Sequence, residues 1–559
     1  MSAEGNRLVV LGLDGATFDV LLPLAEKGEL PAIKKLMDGG AWGRMRTVIP
    51  PGTGPAWSSI VTGLDPSNHG IFDIIVRAEE SYNLAFLNGA SLRAPTVWDI
   101  VGRFGGRVVV VNVPMTYPPR QVNGYLVTGL LTPLGSKRYT YPTELAGEIE
   151  SLAPSYSIVP RKVYSAGRAG DFLAELREVL ENKRVVLREL LGRADWKFAM
   201  EVFSETDFLQ HALWHVMDEK HPRHDPGEAG RFADEVTGIY RRLDSIIGEV
   251  VDGLDENDSV MLVSDHGAGP LYRFIHANNY LIQQGAMKVK DGLASRLKYR
   301  LFRAGLTPMN VYRLVSRLRL GRVKMGLRWT SGGYDLLRKF FFSFSDVDWE
   351  NTRAYALSGG VYGGLFVNLK GREPRGSVEP DDYEKTRDEL AALLRSFKDP
   401  RTDRPLISEV IKREDIYSGK FLGEAPDLYF LPYVPTVGVF GDFEFSSSRL
   451  IEEVSDAISA QHRMEGIFVA SGPAVRKGFE VTGLTVLDLA PLMLYLMGLP
   501  VPEGIDGRLR KDVLEESALK SRPPEFARMR DLYDEGDRDR DATEDESIRD
   551  RLKGLGYIS

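Results

Sequence analysis

Three apolar, β-branched runs in this chain each lead to an aspartate: residues 7–14 (RLVVLGLD), residues 197–207 (KFAMEVFSETD) and residues 259–265 (SVMLVSD). Runs of that length and composition read as strands buried on both faces. Helical periodicity fills the intervals, from Leu30 to Met37, Asp171 to Leu191 and Gly230 to Val251. Strands alternating with helices predict an α/β fold, an open and mostly parallel sheet with helices on both faces. Such sheets bind ligands beyond the carboxyl ends of their strands, where the three aspartates would stand. Further strands are expected from Arg107 to Val113, Tyr125 to Thr128, Ala354 to Leu369, Asp427 to Leu431 and Gly466 to Ala470.

The 559 residues carry a net charge of -8, which argues against a general nucleic-acid binder, so no specific nucleic acid is expected as a partner. Cysteine is absent, so any metal must be held by histidine and carboxylate. The missing thiols, and an N-terminus without a signal-peptide pattern, lead to the expectation of a cytoplasmic protein. The longest apolar stretch, Val486 to Pro502, is interrupted by Asp488, Pro491 and Gly498 and reads as a buried helix and turn.

Residues 286–340 differ from the rest, with fourteen Lys or Arg against two Asp. Residues 295–306 and 309–320 space their apolar side chains three and four apart, which predicts amphipathic helices in an inserted lid or side lobe. Two uses fit: a solvated basic face against an acidic core, or a surface for an anionic substrate or anionic membrane, making the protein peripheral to the bilayer. The expected organisation is a core of residues 1–275 and 345–515, an insertion at 276–344, and a charged tail at 516–559 that does not build core. A last amphipathic piece, residues 548–558, suggests docking.

Asp265 and His266 are adjacent, so both can serve one site only where the strand breaks, and Gly267 supplies the break. Asp207 and His211 are four apart, which on a helix places carboxylate and imidazole on one face. Asp14 alone would read as a turn former or helix cap, and His211 alone as a helix histidine. Among the eight histidines, His215, His221, His224 and His276 compete for roles. The His211/His215 pair resembles a zinc-protease helix, but Ala212 stands where that motif needs its glutamate. Thr53, in PPGTGPAW, opens a helical pattern with Pro55 in its first turn, and can be an N-cap or a hydroxyl facing the positive end of the helix.

In order along the chain, LGLDG at Asp14, PPGTGPAWSSIVTGLDPSNHGIFD around Thr53, ETDFLQH at Asp207 and His211, SDHG at Asp265 and His266, and AQHRMEGIFVASGP at His462 resemble the alkaline phosphatase superfamily. Within it they are similar to the type I phosphodiesterase/nucleotide pyrophosphatase branch, and residues 344–376 resemble a prokaryotic subgroup of predicted phosphohydrolases or phosphomutases. The resemblance implies a three-layer αβα sandwich and two divalent metal ions, zinc being usual and manganese the alternative. It places Asp207, His211 and His462 on one ion, Asp14, Asp265 and His266 with Thr53 on the other, and makes Thr53 the nucleophile. The implied reaction is hydrolysis of a phosphodiester or pyrophosphate bond in a phosphorylated small molecule or lipid, through a phosphothreonine. Phosphomonoesterase or phosphomutase chemistry is the alternative, and a non-catalytic protein docking on polyanion or membrane the contrasting one. Ile74 stands where nucleotide pyrophosphatases carry an asparagine, which loosens the link to nucleotides. Nothing in the sequence fixes the oligomeric state.

Overall fold

The structure, a computed structural model, describes residues 6–162, 164–165, 167–193, 195–308, 310–311, 340–357, 359–441, 445–454, 458–532 and 542–543. Its centre is a ten-stranded sheet. The strands are β1 (Leu8–Leu13), β2 (Ala41–Arg46), β3 (Arg107–Val113), β4 (Gly124–Thr128), β5 (Thr140–Tyr141), β6 (Trp196–Phe203), β7 (Ser259–Val263), β8 (Glu465–Ser471), β9 (Phe479–Glu480) and β10 (Leu484–Thr485). They lie in the order β9-β2-β8-β7-β1-β6-β3-β4-β5, with β10 also on β2. From β7 to β4 every pairing is parallel. Strand β8 runs antiparallel to both β7 and β2.

The central strands β1 and β7 are buried along their whole length, because helices cover both faces. In one layer α1 (Pro31–Gly39), α3 (Ala169–Gly192) and α4 (Glu205–Met217) pack on α5 (Pro226–Asp252). In the other, α2 (Thr53–Thr62) packs on α8 (Leu489–Leu496). All ten residues of α2 are buried. Gly12 permits this approach to β1, since a Cβ there would lie 2.4 Å from the Trp57 ring.

Several expectations change in detail. The apolar stretch from Ala354 to Leu369 forms three short strands, Ala354–Ala356, Gly359–Gly360 and Gly363–Val367, rather than one, the chain bending at residues 361–362 after Gly360, which takes a φ of 144°. These and Leu428–Pro432 stay out of the central sheet and build two separate four-stranded sheets. The tail does contribute structure: Phe526–Arg528 pairs in parallel with Val501–Glu503, Ala542–Thr543 pairs with Phe86 and Leu87, and Leu532 is buried. Strand edges with open N–H and C=O groups accept such additions. Within the insertion, α6 (Ala277–Gln283) and α7 (Leu293–Arg303) are present. The predicted helix at 309–320 lies almost wholly, and the piece at 548–558 wholly, outside the described residues. No helix among the described residues is long and apolar enough to cross a membrane.

Candidate metal centre

Strands β7, β1 and β6 are adjacent and in register, Gly12 facing Val263 and Leu13 facing Phe203. Their carboxyl ends therefore release the chain at one level. Asp14 leaves β1 there, Asp265 and His266 leave β7 one residue beyond Ser264, and Asp207 lies in the first turn of α4 after β6. Asp207 thus sits on the helix, with His211 one turn on and its Nε2 3.2 Å from the Asp207 carboxylate. Gly15, at φ 66°, turns the chain away from β1; a Cβ there would stand 2.8 Å from Asp207 Oδ1.

His462 reaches the same edge by the opposite route. It precedes β8, and because β8 runs antiparallel to β7, its amino end lies where the carboxyl ends of its neighbours lie. The short strand Ala460–Arg463 pairs with Gly267–Pro270, setting His462 opposite Ala268. The His462 and His266 rings stack with centroids 3.7 Å apart. Thr53 Oγ1 lies 3.3 Å from His266 Nε2. Thr53 is not a cap: Gly52 occupies that position, and α2 has no side-chain cap hydrogen bond.

All seven predicted residues, Asp14, Thr53, Asp207, His211, Asp265, His266 and His462, are buried here. Ligand atoms of five of them form two overlapping groups, Asp207 with His266 and His462, and Asp14 with Asp265 and His266, each within 4.8 Å, and His211 stands beside the first with its Nε2 3.2 Å from Asp207. His215, His221, His224 and His276 are held elsewhere, His215 by Glu228 and His221 by the carbonyls of Leu271 and Ser459.

The imidazoles share a device absent from any motif. His211 Nδ1 donates to the Ala460 carbonyl at 2.8 Å, His462 Nδ1 to that of Pro51 at 2.8 Å, and His266 Nδ1 to that of Gly267 at 3.0 Å. A carbonyl only accepts, so each Nδ1 carries the proton and each Nε2 presents a lone pair to the centre. The Nε2 atoms of His211 and His462 are 3.0 Å apart. Two lone pairs that close repel unless a proton or cation is shared between them.

The carboxylates tell the same story. Burial raises the Asp14 carboxyl well above its ordinary range, and Asp265 and Asp207 raise it further. Asp265 is raised by burial although His266 opposes it. Burial also penalises Asp207, but positive charge on the imidazoles, His211 first, as a proton shared at the His211–His462 contact supplies, outweighs it and holds the Asp207 pKa low. Asp14 Oδ1 and Asp265 Oδ2 are buried and make no hydrogen bond, whereas Asp14 Oδ2 accepts from Trp57 Nε1 at 3.2 Å and Asp265 Oδ1 from the Gly15 amide at 3.1 Å. One oxygen of each is tethered and the other points into a crowded acidic centre, a donor set that fits divalent cations. Sequence reasoning missed Trp57 as a tether; only its place one turn after Thr53 hinted at it.

A family model for type I phosphodiesterase / nucleotide pyrophosphatase matches residues 8–436. The chain belongs to this family. A rat relative, ectonucleotide pyrophosphatase/phosphodiesterase family member 1, is 25% identical over 303 residues, covering 53% of this chain and 28% of that protein. The match thus spans under a third of that relative's length. Among solved structures, human ectonucleotide pyrophosphatase / phosphodiesterase 5 aligns over 91% of this chain and 100% of its own, at TM-score 0.50 and 14% identity. Phosphonoacetate hydrolase from Sinorhizobium meliloti aligns over 88% of this chain and 95% of its own, at TM-score 0.51 and 15% identity. These likenesses bear out the alkaline-phosphatase-like α/β sandwich.

Proposed function

We propose that this chain is a metal-dependent hydrolase of phosphodiester or pyrophosphate bonds, acting through a phosphothreonine at Thr53. The observation that carries the reading is the set of three imidazoles whose Nδ1 atoms are fixed on backbone carbonyls, turning every Nε2 toward the carboxylates beside Thr53. Asp207, His211 and His462 would hold one divalent ion, and Asp14, Asp265 and His266, with the Thr53 oxygen, a second. Zinc suits this mixed nitrogen and oxygen set, and manganese is the alternative. Ions bound there lower the pKa of a coordinated hydroxyl and stabilise charge on phosphoryl oxygens. Thr53 Oγ1 attacks phosphorus, the bond to the leaving group breaks, and water then cleaves the Thr53–phosphorus linkage. The amides opening α2 project from the same turn and favour the anionic phosphoryl group.

The substrate is a phosphorylated small molecule or lipid. Beside the nucleophile, Ile74 packs over Gly54, where a Cβ would meet its Cγ2 at 2.3 Å, so an apolar group fills the place of the amide expected for nucleotides. The catalytic body comprises residues 1–275 and 345–515, with 276–344 inserted and 516–559 appended. The test compares bis(nitrophenyl) phosphate with nitrophenyl phosphate on protein reconstituted with zinc or manganese. Faster diester cleavage, lost on chelation, supports the reading. Faster monoester cleavage moves it to a phosphomonoesterase, and inertness of metal-loaded protein toward both sinks it.

A further inference from the structure

Among the described residues, helix α7 is held to the protein by one face. Phe302 is buried and packs on Phe342 and Phe445, Ser295 donates to Asp346 at 2.8 Å, and Lys298 pairs with Asp346 at 3.3 Å. At 100° per residue these positions cluster around one side of the helix, and Leu293, Leu297 and Leu301 fall on the other. Leu293 is 89% exposed, Leu297 58% and Leu301 39%. Leucines at successive four-residue steps form a continuous apolar stripe of a kind that folding normally hides. Arg296, Arg300 and Arg303 are exposed along one margin of this stripe.

Leucines bordered by guanidinium groups match a bilayer interface: the leucines enter the acyl boundary and the arginines reach the phosphates above it. A soluble polyanion would satisfy the arginines but leave the leucines in water. An acidic protein groove could take the stripe, but the basic margin along the length of the helix favours an extended anionic plane. We infer that α7 docks this protein on the surface of an anionic lipid membrane, lying in the interface with Leu293, Leu297 and Leu301 inserted. The inference is independent of the chemistry at Thr53 and can fail or stand without it.

The experiment is sedimentation of the full chain with phosphatidylcholine vesicles, with and without phosphatidylserine. Wild type is expected to pellet with the serine-lipid vesicles and to be released by salt. The variant Leu293→Gln/Leu297→Gln/Leu301→Gln should lose at least about tenfold in vesicle partitioning, since each leucine contributes buried CH2 groups. Arg296→Gln/Arg300→Gln/Arg303→Gln should lose roughly fivefold per charge on anionic vesicles. All six positions are exposed, so circular dichroism of both variants should match wild type. No pelleting of wild type, or leucine variants that bind as wild type, overturns the inference. Wild type that binds heparin beads yet leaves the serine-lipid vesicles unbound would do so too.

Discussion

The centre at the sheet edge and the outer face of α7 are built on opposite plans. Around Thr53 every candidate side chain is buried, and five of the seven are tied to fixed groups, the imidazoles on carbonyls of Ala460, Pro51 and Gly267, Asp14 on Trp57 and Asp265 on the Gly15 amide. On α7 the leucines and arginines are exposed, and among the described residues the contacts that anchor the helix are on its opposite face. Rigid tethering suits a site that must hold reacting atoms in place. A solvent-facing stripe suits a surface whose partner supplies the missing contacts. The two regions should therefore be separable by mutation.

The largest separation comes from Thr53→Ala. Turnover should fall by about three orders of magnitude or more, with metal content by plasma mass spectrometry and vesicle binding unchanged. A variant that retains near-wild-type turnover would remove Thr53 from the chemistry. Next comes Trp57→Phe, which keeps an aromatic ring in α2 but deletes the donor to Asp14. Loss of an outer-shell tether of this kind typically costs about 10–100-fold in metal affinity or activity, readable by metal titration. Unchanged metal affinity would make Trp57 simply a packing residue.

Acid should attack the buried region. Burial, reinforced by Arg93, lowers His69 from 6.5 to about 3. Its Nδ1 accepts from the Ile71 amide at 3.1 Å and its Nε2 contacts Ser59 Oγ at 2.9 Å, an arrangement that needs the neutral ring. The folded state thus binds fewer protons than the unfolded one between these two values. The stability His69 contributes is complete above pH 6.5 and declines as pH falls toward 3. Urea midpoints should drop across that window, and less steeply in His69→Gln. Equal slopes would show that His69 does not drive the transition. The smallest effect belongs to α7: Leu297→Gln should change stability by less than about 0.5 kcal/mol and leave turnover as it was. A larger loss would mean that the stripe packs against protein.

These regions also differ in how far the sequence reveals them. Asp14, Asp207 and Asp265 were legible because buried strands announce themselves by composition, and a parallel sheet sends their carboxyl ends to one edge. His462 was not accessible to that logic. It arrives at the amino end of an antiparallel strand, and only its resemblance to a family motif brought it into the set. The carbonyl tethers were invisible because a backbone oxygen carries no residue signature. Thr53 could be read as a cap or a nucleophile, and the Gly52 cap removed the first choice. The stretch from Ala354 to Leu369 looked like one strand by its apolar residues, yet it bends after Gly360, whose φ of 144° no apolar pattern announces. On α7 the periodicity predicted an amphipathic helix, but which face would be anchored depended on Phe342 and Phe445, distant in sequence.

The central claim is that the Thr53 oxygen becomes covalently bound to phosphorus. Metal-loaded protein turning over bis(nitrophenyl) phosphate, quenched in acid and digested, provides the direct measurement by peptide mass spectrometry. The account predicts a nitrophenyl phosphoryl adduct on the peptide carrying Thr53 and on no other. Steady turnover with that peptide unmodified under rapid quench, or with the adduct on a different residue, would contradict it.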